Sequence, residues 1–339
     1  MMKQILSPWR VALAALAIGV AAICIAPAVA QQPTSVNPTA SSVNEEQLLK
    51  ALKPGETIHG RITIPDQKAA NLIQPEGPAW RDFHRDRLPW IGGVAILGML
   101  ALLAIFYAAR GRIMLESGEA GRKILRFGAI ERFIHWTTAT SFIILALSGL
   151  NVSFGRTLLL PIMGESAFGS MSAVLKPAHN YVAFPFMAGV LCMFVIWVGG
   201  NIPKRVDWTW LRQGGGMIGH AHPPAGRFNA GQKAVFWIVI VGGASLAVSG
   251  VNMLFPYLAA NGVIGLQFWT TVHAVIAMLM IAIICAHIYI GTIGMEGAFE
   301  AMGSGEVDLN WAREHHSLWV ADEMAREKAT LTARMQPAE

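Results

Sequence analysis

Charged side chains are scarce in this 339-residue chain. Lys, Arg, Asp and Glu make up 14% of it and hydrophobic residues 54%, where a typical soluble domain is about a quarter charged. That shortage argues against an ordinary soluble protein and places the chain in the membrane class. Cysteine is rarer still. The three present, Cys24, Cys192 and Cys285, each lie inside an apolar run, and there is no CxxC, CxxCH or four-cysteine set. Their lack argues against iron–sulfur clusters and covalently attached haem in this chain, and disulfides are not expected in the mature protein. A long basic stretch is also missing. The formal charge of +5 is carried by short loops between apolar runs, a pattern of membrane topology rather than of nucleic-acid binding, so no nucleic acid is expected as a partner and membrane lipid is.

What is present is a series of apolar stretches. Lys3 and Arg10 precede an apolar core from Val11 to Ile25, and Ala28-Val29-Ala30 follows, which describes a secretory signal peptide over 1–30 or an uncleaved anchor. Either way residue 31 lies outside the cytoplasm. Residues 31–89 read as an external segment, with Ile58-His59-Gly60-Arg61-Ile62-Thr63-Ile64 alternating as a short strand does. Five further runs follow, Trp90 to Ala109, Phe133 to Ser153, Asn180 to Gly199, Ala234 to Leu254 and Trp269 to Ile293. Each has about the ~20 residues that a spanning helix needs. The expected fold is an all-α integral membrane protein. One additional N-terminal transmembrane helix (90–109) and a loop (110–132) precede a four-helix core (133–293), and a C-terminal tail (294–339) follows.

Loop charge gives the orientation. Residues 110–132 hold six Lys or Arg and 200–233 hold five, against Arg156 and Lys176 in 154–178 and none in 255–268. The basic loops are therefore read as cytoplasmic, which agrees with an external mature N-terminus and puts the tail inside. Its charged stretch from Asn310 to Lys328 reads as a solvated or interfacial helix.

Of ten histidines, His135, His179, His273 and His287 fall in or at the ends of the apolar runs. Ionisable groups in a bilayer are costly, so four of them form a functional hypothesis, although any one alone could be a hydrogen-bonded structural residue. His273 and His287 are 14 residues apart on one helix, close to four turns, so both face one side, about 20 Å apart along the axis. His135, at the cytoplasmic start of its helix, matches the depth of His287. His179, at the outer start of the next, matches His273. Two couples at two depths suit two bis-histidine haems more than a zinc site, which gathers three or four ligands, and no Asp, Glu or Cys joins either couple within the helices. His59, His84, His220 and His222 are expected at the surface, as are His315 and His316, with an option for the last two beside a propionate or quinone.

The ordered set Glu131-Arg132-Phe133-Ile134-His135-Trp136, Pro177-Ala178-His179, Asn201-Ile202-Pro203, Asn229-Ala230-Gly231-Gln232-Lys233, His273 with His287, and Trp311 through Trp319 resembles the gamma, or cytochrome b, subunit of membrane-bound respiratory formate dehydrogenases over roughly residues 124–322. The resemblance implies a four-helix di-haem cytochrome b core in a bacterial inner membrane. It implies two haem b groups, the outer on His179 and His273, the inner on His135 and His287. It also implies an iron–sulfur (beta) subunit and a molybdenum or tungsten catalytic (alpha) subunit as partners, with formate oxidised on the latter and not here. A quinone, ubiquinone or menaquinone, would be reduced near the inner haem beside Asn229, Ala230, Gly231 and Gln232. Asn229 and Gln232 can donate and accept hydrogen bonds, and Gly231 would expose backbone to a quinone carbonyl. The same four residues read equally well as a helix N-terminus with Asn229 as the cap and Gln232 at its capping-box position. Two other readings stand beside this one. A cytochrome b anchor of a hydrogenase or of a sulfur-compound reductase would share the core. A haem-free transporter would also carry intramembrane histidines and glycines such as Gly149, Gly250 and Gly291, although no internal repeat supports it.

Overall fold

A computed structural model describes residues 77–216 and 222–335. The signal peptide, the strand expected at Ile58 to Ile64, and His59 and His220 lie outside the described residues. The chain divides after Trp80 into two compact units, and the second, from Arg81 onward, carries the elements that position the site.

Among the described residues five helices are long and apolar enough to cross a membrane. Helix α1 (Leu88–Arg110) follows a π-helical turn at Phe83–Arg87. After it come α2 (Ala129–Leu158), α3 (Leu160–Trp197), the short α4 (Arg205–Arg212), α5 (Ala230–Leu254) and α6 (Gly262–Tyr289). The tail forms α7 (Leu309–His315) and α8 (Ser317–Met335). Within the core α2 packs on α3, α3 on α5 and α5 on α6, while α2 and α6 scarcely touch. Helix α1 lies outside this ring against α6 and runs parallel to it. An added Cβ at Gly92 would strike Met278, and Phe106 and Tyr107 both meet the Tyr289 ring edge-on. Trp90, Val94, Leu97 and Ile105 on its other face are exposed, as a lipid-facing surface requires.

The middle of the core is packed closely through small residues, the device by which helix backbones approach where no hydrophobic driving force separates lipid from protein. A Cβ at Gly189 would collide with the Thr138 hydroxyl, one at Gly243 would touch Val190, and one at Gly242 would strike Met280. Phe142 and Phe186 meet at 6.0 Å in the same layer.

Two expectations need correcting. The outer loop expected at 154–178 is helical. Helix α2 runs on to Leu158 and α3 begins at Leu160, with a break at Gly164 (φ 78°) and with Pro177 and Pro185 inside. Polar residues such as Ser170, Ser172 and Lys176 lower the apolar signal there without being poor helix formers, so hydropathy underestimated the helix. His179 is therefore an interior residue of α3 and does not begin it.

The tail, in turn, is not a separate solvated helix. Strand β1 (Lys123–Leu125) pairs antiparallel with β2 (Glu306–Asp308), tying the 110–132 loop to the tail. Tail carboxylates satisfy loop amides: Glu296 accepts from Leu115 N at 2.9 Å, and Glu314 from Ser117 N at 2.9 Å. Asp308 accepts from Ala120 N at 2.9 Å and also caps α7 by accepting from Asn310 N at 2.8 Å. Burial by itself would raise the Asp308 pKa, but four backbone amides outweigh it and hold the carboxyl below its ordinary range. Trp311, Ala312, Trp319 and Val320 join Phe127, Ile134, Trp197 and Phe228 in one buried cluster. The charge pattern of Asn310 to Lys328 showed the wet face of these helices, while the buried face rests on alternate tryptophans that charge counting does not weigh.

Candidate functional site

The structure brings four intramembrane histidines together as two couples. The His135 and His287 rings lie 6.2 Å apart between centroids at 61°, and those of His179 and His273 lie 6.3 Å apart at 64°. Both couples join α6 to another helix, His287 to α2 and His273 to α3. Among the described residues no group of three or more His, Cys, Asp or Glu converges, so each couple offers two imidazoles without a third such ligand beside them.

The His179 and His273 couple is held by a device the sequence reading missed. Ser148 Oγ lies 2.7 Å from His179 Nδ1, and Ser249 Oγ lies 2.9 Å from His273 Nδ1. Each hydroxyl donates back to the preceding turn, Ser148 to Ile144 O at 2.7 Å and Ser249 to Ser245 O at 2.7 Å. A hydroxyl has one proton. With that proton on a carbonyl, the ring nitrogen must carry its own, so Nδ1–H donates to the serine and the Nε2 lone pair is left free. The residue after each serine is glycine, and a Cβ at Gly149 or Gly250 would lie 3.5 Å from the Cε1 of the neighbouring ring. The signal was available: Ser148-Gly149-Leu150-Asn151 and Ser249-Gly250-Val251-Asn252 repeat one pattern on α2 and α5. In the other couple, His135 Nδ1 is buried with no hydrogen-bond partner among the described residues.

The loop before α5 is a capping box. Asn229 Oδ1 accepts from Gln232 N at 2.9 Å and Gln232 Oε1 accepts from Asn229 N at 3.1 Å. Ala230 is buried. Gly231 does not present open backbone, because a Cβ there would lie 3.1 Å from the Trp210 ring, which is wedged between it and Gly215. Of the four, only Asn229 and Gln232 retain polar groups for another partner, since the caps use their oxygens and leave the amide NH2 groups to donate. Lys233 is consumed by structure: its ammonium, 7% exposed, sits 2.8 Å from Asp207 and also donates to Ile202 O at 3.2 Å. This joins the Asn201-Ile202-Pro203 stretch to the loop.

A second cluster lies at the same basic end. Glu131 accepts from Gly128 N at 2.9 Å to cap α2, from Trp197 Nε1 at 2.7 Å and from Arg227 at 2.8 Å. Arg126, 3% exposed, donates to Arg227 O at 2.7 Å, and its guanidinium carbon lies 5.0–5.4 Å from the ring centres of Phe127, Trp311 and Trp319. Burial, with Arg227 close by, lowers its pKa to about 9, and the ring faces and carbonyl offset part of that cost. His316 was expected at the surface but is 1% exposed. Its Nδ1–H donates to Gly226 O at 2.8 Å and its Nε2 accepts from Arg126 Nη2 at 3.0 Å. His315 is half-buried against the Trp311 ring. Burial, reinforced for His316 by Arg126, holds His316 well below the ordinary histidine pKa and takes His315 down to about 4. His222 is at the surface as expected, 3.0 Å from Glu116.

Residues 126–305 match the prokaryotic cytochrome b561 family. The chain belongs to that family. This cytochrome is 34% identical over 199 residues to the cytochrome b556(fdo) subunit of formate dehydrogenase from Escherichia coli K12, covering 58% of this chain and 91% of the relative. It is 31% identical over 204 residues to the nitrate-inducible formate dehydrogenase cytochrome b556(Fdn) subunit of the same organism, covering 58% and 90%. With the formate dehydrogenase cytochrome b556 subunit of Haemophilus influenzae it shares 24% over 210 residues, covering 60% and 84%. The resemblance to the formate dehydrogenase cytochrome b subunits is thus borne out, as is the all-α membrane fold, and a haem-free transporter is displaced by a family of b-type cytochromes.

The residues fit a b-type haem. A metal–imidazole bond is roughly 2 Å. Adding about 1 Å from nitrogen to ring centre on each side, two rings that share one iron stand roughly 6 Å apart, which is the spacing of both couples. The serine-fixed tautomer leaves Nε2 of His179 and His273 free to ligate.

Proposed function

We propose that this cytochrome is the membrane subunit of a formate dehydrogenase complex and carries electrons from an external iron–sulfur subunit to a quinone. One observation carries the reading: two histidine couples at bis-imidazole spacing, 14 residues apart along α6, in a chain aligned with nearly the whole of a formate dehydrogenase cytochrome subunit. His179 and His273 hold the outer haem b and His135 and His287 the inner one. Such haems, when bound, supply a one-electron couple at each level of the membrane. The protein's own part is to fix the imidazoles. It also packs the apolar side chains Phe142, Phe186, Val190 and Met280 between the two levels.

The quinone, ubiquinone or menaquinone, is reduced at the cytoplasmic side, with the Asn229 and Gln232 amides donating to its carbonyl. Capping and quinone binding coexist because they use different atoms of the same amides. A cavity of about 700 Å³ beside this loop is lined by Asp322 and Glu323 together with Lys204, Arg227 and Arg326, which offers titratable groups on the approach from the basic end. Formate is oxidised on a molybdenum or tungsten alpha subunit, and the iron–sulfur beta subunit relays its electrons. The basic loops 110–132 and 200–233 face the cytoplasm of a bacterial inner membrane.

Purification of the complex from native membranes, with pyridine haemochrome assay and identification of co-purifying chains, tests this. Two b-type haems per chain, a formate-oxidising partner, and loss of one haem each in His287→Ala and His273→Ala are expected. A nickel–iron partner, or loss of both haems from either folded variant, would overturn it.

A further inference from the structure

The two couples differ in how their imidazoles are held, and the difference acts on iron. A hydrogen bond from the far ring nitrogen of a ligating histidine raises the basicity of the ligating one and fixes its orientation. A more basic ligand stabilises iron(III) over iron(II) and so lowers the potential. His179 and His273 both carry such a bond, each to a serine whose own proton is engaged on a backbone carbonyl. Each serine is fully buried, so water does not compete for the bond. His135 Nδ1 has no such acceptor among the described residues.

We infer that Ser148 and Ser249 are positioning residues that lower the potential of the His179/His273 haem below that of the His135/His287 haem, giving electron flow between the two levels its direction. The inference rests on the haem assignment proposed above. With haem bound at both levels, the direction set by His179 and His273 would be that of a single electron passing from iron(II) held by this couple to iron(III) held by His135 and His287. One iron would be oxidised and one reduced, with the Nδ1 protons of His179 and His273 staying in their bonds to the serines. The repeated Ser-Gly-x-Asn sequence explains why both ligands of one haem, and not one ligand of each, receive the bond. Helices α2 and α5 reach the same level and carry the same residues there, 13 residues beyond His135 in the case of Ser148. The glycine that follows serves the same end, since its bare Cα lets the ring settle against the helix at ordinary contact distance.

The experiment is a redox titration of both haems, followed optically and by low-spin EPR, in the intact complex carrying Ser148→Ala, Ser249→Ala or both. The lower-potential haem is expected to rise, by about tenfold in its reduction equilibrium for the double variant, which converts to about 59 mV for a one-electron couple. The higher-potential haem stays in place. Ser148→Thr and Ser249→Thr keep the acceptor and return the potential toward wild type. An unmoved low-potential haem, or an equal shift of both, with two haems still bound, would overturn the inference. Fewer than two haems in the wild-type complex would instead overturn the assignment beneath it. If an alanine variant loses haem outright, the wild-type order decides: a His179/His273 haem, identified as the one missing from His273→Ala, that titrates at the higher potential refutes the proposal.

Discussion

Asn229 serves two roles that a pair of substitutions can separate. Its side-chain oxygen caps α5 by accepting from Gln232 N at 2.9 Å, and Gln232 returns the bond at 3.1 Å. Removing an N-cap costs about 1 kcal/mol, so Asn229→Ala should destabilise the cytochrome by about that much. Asn229→Ser keeps an oxygen at the cap and should cost only a few tenths of a kcal/mol. Both variants delete the amide NH2, the group assigned to the quinone carbonyl. One neutral hydrogen bond is worth about 1 kcal/mol net, or roughly fivefold in affinity. Asn229→Ser should therefore bind a quinone-site inhibitor roughly fivefold more weakly while melting close to wild type, and haem content should not change. The assays are inhibitor titration of formate-to-quinone activity and thermal denaturation in detergent. If inhibitor affinity is unchanged in the serine variant, the loop is a cap and no more; if affinity falls only in the alanine variant, the loss follows helix fraying and the quinone assignment fails.

Two further outcomes follow from the basic end of the molecule. Lys233→Ala leaves Asp207, its partner at 2.8 Å, as a partly buried carboxylate that keeps its bond from Lys204 N and should cost about 1–3 kcal/mol; a melting temperature within a degree of wild type would show the pair is solvated. His315 and His316 have folded pKa values below the unfolded histidine value, so the neutral rings cost nothing above about pH 6.5, and stability falls as the pH drops below it because only the unfolded chain takes up the protons. Each contributes up to about 1.4 kcal/mol per pH unit lost as the pH falls below about 6.5, and for His315 the loss levels off near pH 4. Hydrogen exchange over 309–335 should accelerate in that window, with His316→Gln flattening the response, and exchange independent of pH after correction for intrinsic rates would contradict it.

The parts of this protein legible in its sequence are those that rest on periodicity and on the cost of burying charge. The histidine pairing could be read because the 14-residue spacing of His273 and His287 fixes a shared face, and up–down topology fixes which end each of the others occupies. The end of α5 at Leu254 agrees with the apolar run, whereas its start lies four residues before the expected Ala234, where the Asn229 capping pattern and not hydropathy marks it. The start of α3 was missed because Ser170, Ser172 and Lys176 dilute hydropathy without opposing helix. The burial of His316 was missed because a charged neighbourhood in one dimension says nothing about which rings lie above and below it.

Taken alone, the sequence determined that the chain is a membrane protein, which five stretches beyond residue 89 are long and apolar enough to cross and which imidazoles share a depth, because all three depend on spacing along a helix and on the free energy of moving residues into lipid. Only the tertiary structure decided that the loop after α1 and the tail form one cap, that Arg126 is walled in by Phe127, Trp311 and Trp319, and that Ser148 and Ser249 each hold a ring from a neighbouring helix. Apart from Arg126 with Phe127, those contacts join residues tens to two hundred positions apart. Their partners are chosen by how helices rotate and approach when glycines let them close; a local pattern such as Ser-Gly-x-Asn marks the place but does not name the ring that meets it.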